Sequence, residues 1–193
     1  LHLPLHPIMV SANDDILKPL LDAGADGVIA PRVSSNEDLT KLIKNVKYPI
    51  LGNRSFGINR AQLYGLDEKE YFRNWNNSST IIIQIETEEG VNNLKKILEN
   101  REVDGVMIGP YDLSGSLGVA GNLKHKKVLD ASKYILSVCN KHKVSCGTQL
   151  SNFDKKIIKE NFSKGFNFII LGSDLFALKN WSIECQKIIK NFK

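Results

Sequence analysis

The sequence predicts an α/β protein built as a parallel βα barrel, and three observations carry that expectation. Apolar runs of strand length alternate with amphipathic helical patterns from end to end, which is the signature of repeated βα units. Two strand runs lead into an acidic residue, Glu86 after Ile81-Ile82-Ile83-Gln84-Ile85 and Asp112 after Val106-Met107-Ile108-Gly109-Pro110-Tyr111. The carboxyl ends of parallel strands are where such barrels gather their reactive groups. A weak internal echo repeats the plan, since Gly24-Ala25-Asp26-Gly27-Val28-Ile29-Ala30-Pro31 resembles Val103-Asp104-Gly105-Val106-Met107-Ile108-Gly109-Pro110, with a looser copy in residues 166–174. Its spacing is too irregular for a solenoid.

The first strand is expected at residues 8–11. Asn13 or Asp14 then caps a helix through Leu20 and Leu21, and Gly24 stops it, because glycine takes left-handed backbone without a Cβ penalty. A second strand, 28–30, closes at Pro31. Ser34 or Ser35 opens the next helix, with Glu37 and Asp38 in capping-box spacing and Leu39, Leu42, Ile43 and Val46 on one face. Residues 52–79 break the rhythm; they hold Arg54, Arg60 and aromatics and read as a functional loop plus a helix around 68–75. The third strand is 81–86, and its triple isoleucine reads as buried on both faces. Val91, Leu94, Ile97 and Leu98 mark a helix, 106–108 a strand, and 128–139 a long helix. Strand 145–148, a helix ending near Gly165, strand 168–172 and a closing helix over 176–189 complete the series. That makes six strands where a closed barrel has eight. Either two are missing at the start or the sheet is open.

At 193 residues, 42% hydrophobic and 24% charged, the chain can bury a core and suits one domain over residues 1–193. The formal charge of +5 and pI near 9.0 do not mark a nucleic-acid binder, because the lysines are scattered through amphipathic segments and no basic block is interleaved with aromatics. The surplus positive field instead favours small anionic substrates. Cys139, Cys146 and Cys185 are widely spaced with no Cys-x-x-Cys pair, which suits buried thiols in a reducing compartment rather than disulfides or zinc ligands. No apolar stretch approaches the roughly 18 residues of a membrane span, and no signal-peptide pattern precedes the first strand, so a cytoplasmic location without a membrane partner is expected. The sequence opens at Leu1 rather than Met, which suggests upstream residues.

One strand-helix-strand repeat separates Glu86 from Asp112. If the two strands are neighbours, both carboxylates reach one rim and can share a divalent cation. Gln84, two residues before Glu86, shares its strand face and should point into the barrel mouth. Blander roles stand beside these: Glu86 capping the next helix, Asp112 as an N-cap, Arg54 and Gly57 forming either an anion-binding turn or a loop fixed by an ion pair, Asp174 as a helix cap, and Phe162, Phe166 and Phe168 as core.

Gly27-Val28-Ile29-Ala30-Pro31-Arg32-Val33, Tyr48-Pro49, Arg54-Ser55-Phe56-Gly57, Arg60-Ala61, Tyr64-Gly65, Gln84-Ile85-Glu86-Thr87, Asp104-Gly105-Val106-Met107-Ile108-Gly109-Pro110-Tyr111-Asp112-Leu113-Ser114 and Gly172-Ser173-Asp174 occur in an order and spacing shared with a known family. The chain resembles the HpcH/HpaI aldolases, class II pyruvate aldolases related to the citrate lyase β subunit. The resemblance implies a TIM-type (β/α)8 barrel of the phosphoenolpyruvate/pyruvate domain type, here lacking its first two βα units. It implies a metal-dependent carbon-carbon lyase that reversibly cleaves a hydroxy-2-keto acid to pyruvate and an aldehyde through a metal-bound enolate. By that resemblance Glu86 and Asp112 bind Mg²⁺, Mn²⁺ or Co²⁺; Gln84, Gly109, Pro110, Tyr111 and Asp112 bind substrate; Gln84 and Arg32 are catalytic; and the chain is a homo-oligomer acting on a small keto acid and aldehyde. An aldolase can instead use a Schiff-base lysine at a strand end, but no predicted strand carries one.

Two departures stand out. Family members carry an Asp-x-Glu-His segment in the units absent here, and none of His2, His6, His125 and His142 replaces its histidine: His6 and His142 precede their strands, and His125 reads as a cap. The family also has an arginine in the first strand seen here, where alignment on Asn13 and Asp14 puts Met9. Arg32 is the candidate partial substitute. Losing an enolate-stabilising cation costs on the order of a hundredfold in rate, by analogy with an oxyanion donor. Gln149 lies where relatives tend to be apolar near the aldehyde pocket. A catalytically impaired or non-catalytic barrel fragment that retains the metal site, and a citryl-CoA-type lyase, remain as alternatives.

Overall fold

The computed structural model describes residues 6–9, 14–151, 154–190 and 192. Among the described residues five strands, β1 (Gly27–Ala30), β2 (Thr80–Ile85), β3 (Gly105–Ile108), β4 (Ser145–Leu150) and β5 (Phe168–Leu171), form one sheet in the order β1-β2-β3-β4-β5. Every pairing is parallel. Helices α1 (Asp14–Asp22), α2 (Asn36–Val46), α3 (Glu68–Ser78), α4 (Glu88–Ile97), α5 (Pro110–Ser116), α6 (Lys126–His142), α7 (Lys155–Ser163) and α8 (Asp174–Lys190) lie between and after them, with a 3₁₀ turn at Arg60–Gly65. The result is a parallel α/β half-barrel, as a truncated TIM-type barrel would give.

Of the first expected strand, residues 8–11, only Ile8 and Met9 are described. Ile8 makes one parallel bridge to Ile29, supported by Met9 N–H donating to the Ile29 carbonyl and Ile29 N–H to the Pro7 carbonyl, both at 3.0 Å. Residues 10–13, and with them the rest of that strand and the Asn13 cap, lie outside the described residues, as does the Asp14 side chain.

Local chemistry sets the helices where the sequence places them. Ser35 caps α2 by accepting from Asp38 N–H, and Asp38 returns the bond to the cap backbone, so the capping box forms in full. Gly24 leaves α1 at φ +106°, a conformation that suits glycine. Leu39, Leu42, Ile43 and Val46 are buried along α2, and Val91, Leu94 and Ile97 along α4. The 3₁₀ turn has no counterpart in the sequence reading, and α5 only the helix that an Asp112 cap would start. A start signal for α5 was present in Gly109-Pro110, since proline is favoured at the first helical position.

Burial follows the sheet's faces. Ile81, Ile83 and Ile85 of β2 are fully buried against the helices, whereas Ile82 and Gln84 are only half-buried. The triple isoleucine is therefore not buried on both faces. Side chains alternate across a strand, and the concave face of an unclosed sheet has no opposite strands to cover it. Phe162 is exposed, against the core role expected of it, while Phe166 packs partly on the core. Cys139 and Cys146 are buried free thiols and Cys185 a half-buried one; contact with Cys139, then burial, pushes the Cys146 thiol upward. Among the described residues no helix is long and apolar enough to cross a membrane.

Candidate active site at the carboxyl ends of β2 and β3

The register pairs Gln84 with Met107 and Ile85 with Ile108, so Glu86 and Gly109 are the next residues on two neighbouring strands. Gly109 N–H donates to the Ile85 carbonyl at 3.2 Å, which holds the two exits side by side. A Cβ on Gly109 would stand 2.6 Å from both Gln84 Nε2 and Glu86 Oε2. Glycine here keeps the space beside the carboxylate open. Gly109 also precedes α5, Pro110 takes its first position, and Asp112 falls in the first turn, where the helix dipole favours an anion.

Glu86 is 4% exposed. One carboxylate oxygen accepts from Arg32 N–H at 3.0 Å, and the other accepts from Gln84 Nε2. Burial, and then the nearby Asp112 carboxylate, raise the Glu86 carboxyl above its ordinary range, opposed by the Arg32 and Gln84 hydrogen bonds and the Arg32 charge. Neither carboxylate serves as a helix cap. Thr87, not Glu86, caps α4 by accepting from Gly90 N–H at 3.0 Å, and Asp112 lies inside α5 rather than at its cap.

The donor set fits a hard divalent cation. At one rim the Asp112 carboxylate lies near enough to Glu86 to raise its carboxyl, Glu86 itself is desolvated, and oxygen ligands of this kind suit a hard cation. Among the described residues no group of three His, Cys, Asp or Glu gathers to hold an ion alone, so remaining positions would fall to water and substrate.

Arg32 stands at the same rim with left-handed backbone, φ +55°, and an exposed side chain. Among the described residues no histidine hydrogen-bonds to Glu86, whose side-chain partners are the Arg32 amide and Gln84. His6 lies at the opposite end, beside Gly27 at the start of β1; His142 meets the Leu98 carbonyl at 3.0 Å; and His125 caps α6 as expected. Met9 is buried in the core. Gln149 donates to the Gly172 carbonyl at 3.2 Å, tying β4 to the loop after β5. Asp174 Oδ1 accepts from Leu175 N–H at 2.9 Å at the start of α8. The buried Lys47 binds the Asn76 and Ser79 carbonyls at 2.7 and 3.0 Å, before β2 begins.

Arg54 resolves to the ion-pair alternative. Its guanidinium pairs with Asp22 at 3.0 Å, donates to Tyr71 Oη at 3.1 Å and lies 4.4 Å from the Trp75 ring centroid. Sequence reasoning missed Asn93 altogether, took Ser34 only as a possible helix start, and missed Ser34 and Thr87 as functional groups. Only the Thr87 cap pattern had a local signal.

Residues 9–180 match the family model described as HpcH/HpaI aldolase/citrate lyase. The 5-keto-4-deoxy-D-glucarate aldolase of Salmonella paratyphi C (strain RKS4594) is 32% identical over 188 residues, covering 96% of this chain and 71% of that protein. The crystal structure of an HpcH/HpaI aldolase from Desulfitobacterium hafniense DCB-2 matches with a TM-score of 0.85 at 26% identity, over 97% of this chain and 73% of that one. A family protein from Burkholderia cenocepacia J2315 shares the fold with a TM-score of 0.86 at 23% identity, over 96% of this chain and 73% of that one. With a family model spanning almost its whole length and relatives named as aldolases, which are lyases, the chain belongs to the HpcH/HpaI aldolase/citrate lyase family.

Proposed function

We propose that the chain is a class II aldolase that reversibly cleaves a hydroxy-2-keto acid to pyruvate and an aldehyde, with a divalent cation held by Glu86 and Asp112. The observation that carries this reading is the buried Glu86 carboxylate, hydrogen-bonded by Gln84, at the exit of one strand, with the Asp112 carboxylate near it in the helix that follows the adjacent parallel strand. When bound, Mg²⁺, Mn²⁺ or Co²⁺ supplies Lewis-acid stabilisation of the negative charge that develops on the keto acid. Arg32 N–H and Gln84 orient the Glu86 carboxylate. Gly109 leaves room for the keto acid, and Pro110, Tyr111 and Asp112 border it. The Arg32 guanidinium is the rim cation for the developing oxyanion.

Deuterium exchange at the pyruvate methyl, followed by NMR, tests this without knowledge of the aldehyde. Exchange that depends on the cation and is lost in Glu86→Ala and Asp112→Ala is expected; no exchange by the native chain with any of the three ions overturns the reading. Arg32→Ala should lower the rate by about a hundredfold if it stabilises the oxyanion. An unchanged rate removes it from the mechanism.

One observation favours a second reading, a catalytically impaired barrel that keeps the cation site: among the described residues no histidine hydrogen-bonds to Glu86, and Met9 is buried in the core. Cation binding without exchange selects it. Self-association belongs to the first reading, with the exposed apolar residues of α8 as the surface to be covered. Sedimentation showing only monomer at rising concentration removes that part.

A further inference from the structure

We propose that Ser34 and Thr87 are positioning residues, whose paired hydroxyls latch the loop after β1 to the turn after β2 and so hold the Arg32 amide against Glu86. This rests on reading Glu86 as a cation ligand and names the groups that aim it.

The Ser34 and Thr87 hydroxyl oxygens lie 2.6 Å apart. Thr87 Oγ1 also accepts from Gly90 N–H at 3.0 Å, so the atom that caps α4 is also the anchor of the latch. Ser34's own backbone is tied on both sides. Its N–H donates to Asp38 at 3.0 Å, and its carbonyl accepts from Asn93 Nδ2 of α4 at 2.9 Å. The two loops close tightly over Gly90, where an added Cβ would stand 3.1 Å from both the Val33 carbonyl oxygen and Thr87 Oγ1.

Two residues before Ser34, Arg32 holds left-handed backbone at φ +55° and delivers its N–H to Glu86 at 3.0 Å. A non-glycine residue keeps that conformation where its surroundings over-determine it. Here Arg32 meets Glu86 while Ser34 meets Thr87, so two consecutive residues on one strand exit are gripped by two points on the other loop. A single contact would fix a distance; two also fix the rotation of the Glu86 carboxylate. Groups that orient a ligating side chain typically govern metal affinity by about 10- to 100-fold.

The clean variant is Ser34→Ala, which deletes one hydroxyl and keeps both backbone ties. Mn²⁺ dissociation constants of the purified full chain, read from the electron paramagnetic resonance signal of free Mn²⁺, are compared with thermal unfolding of the metal-free protein. The expected result is a roughly tenfold weaker Mn²⁺ affinity, a metal-free Tm within about 2 °C of native, and recovery of affinity in Ser34→Thr. An unchanged dissociation constant in Ser34→Ala overturns the latch and leaves the cation reading standing; a native chain that takes up no Mn²⁺ overturns both. Lost affinity that Ser34→Thr does not recover also overturns the latch. If Ser34→Ala does not fold, Asn93→Ala, which frees the loop from α4, is measured with the same expectation and the same overturning result.

Discussion

Helices α4 and α8 each follow a parallel strand and a rim turn, yet α4 buries Val91, Leu94 and Ile97 while α8 buries nothing and leaves Leu175 73%, Leu178 62% and Trp181 67% exposed. The difference is not apolar content, since α8 is as rich in leucine, isoleucine and aromatics as its buried counterpart. It is neighbours. α4 packs between α2 and α6 over a strand paired on both sides, whereas α8 follows β5, which pairs with β4 alone among the described residues. A repeated βα unit is thus only as buried as the units beside it. The rim of β2 and β3 sits in the well-flanked half, where a desolvated Glu86 can be held.

The largest expected effect lies in that half. Arg54→Ala removes the guanidinium that pairs with Asp22 and stacks on Trp75, and breaking a buried pair of this kind costs about 3–5 kcal/mol. Chemical denaturation followed by tryptophan fluorescence measures it. A loss below about 1 kcal/mol, the level of surface pairs, would mean that this flank does not depend on its buried charge.

Next comes the direct contrast of the two helices. Leu94→Ala should cost about 2–5 kcal/mol, as fully buried leucines do, and Leu178→Ala less than about 0.5 kcal/mol, as surface changes do. Urea unfolding of the dilute chain decides it. Equal losses would show that α8 is covered in solution and that the contrast between the flanks does not hold there.

What the sequence made legible has a physical pattern. The Ser35-Asp38 capping box, the Gly24 stop, the apolar face of α2 and the strand-end placement of Glu86 and Asp112 all depend on residues within a few positions of one another. Whatever depends on distant partners was not legible. Of the first strand only Ile8 and Met9 are described, and their pairing depends on Ile29 of β1, some twenty residues away. Burial of the Ile82 face would need strands across the barrel, and Ile82 is only half-buried. Arg54 needed Asp22, and Ser34 needed Thr87, and such pairings leave no periodic trace in the chain. Among the site residues, Gln84 could be placed by strand alternation alone, whereas the Arg32 amide on Glu86 depends on a left-handed turn that no residue type there announces.

Two glycines sharpen the comparison at smaller amplitude. A methyl at Gly147 of β4 would run into the Phe168 ring of β5; Phe168 is only half-buried, so it can yield, and Gly147→Ala should cost about 1 kcal/mol, the low end of overpacking. At Gly109 the added Cβ would meet Gln84 and Glu86 at 2.6 Å, where hydrogen bonds leave less freedom. Gly109→Ala should unfold within a few degrees of native yet lose Mn²⁺ uptake. If Gly147→Ala is the costlier of the two by several kcal/mol, the β4–β5 flank is packed as rigidly as the rim.

The smallest effect isolates the packing of the well-flanked half at high pH. Tyr48 is fully buried, stacked on Phe56 at 4.7 Å and edge-on to Phe72 at 5.1 Å, and burial, opposed by the Arg54 charge, pushes its hydroxyl up to about 12. The unfolded chain ionises this group near 10. Its contribution to stability is therefore complete below pH 10 and is lost as pH rises towards 12, amounting to about 1 kcal/mol by pH 11. Tyr48→Phe should lie within about 1 kcal/mol of the native chain at pH 8, since the buried hydroxyl makes no full hydrogen bond and faces only the Gln62 amide. It should then lose less stability between pH 9 and pH 11, with Tyr71, raised in the same direction, still contributing in both proteins. Identical pH profiles would mean that water reaches the Tyr48 hydroxyl, and the flank that supports Glu86 would then be no tighter than the one that ends in α8.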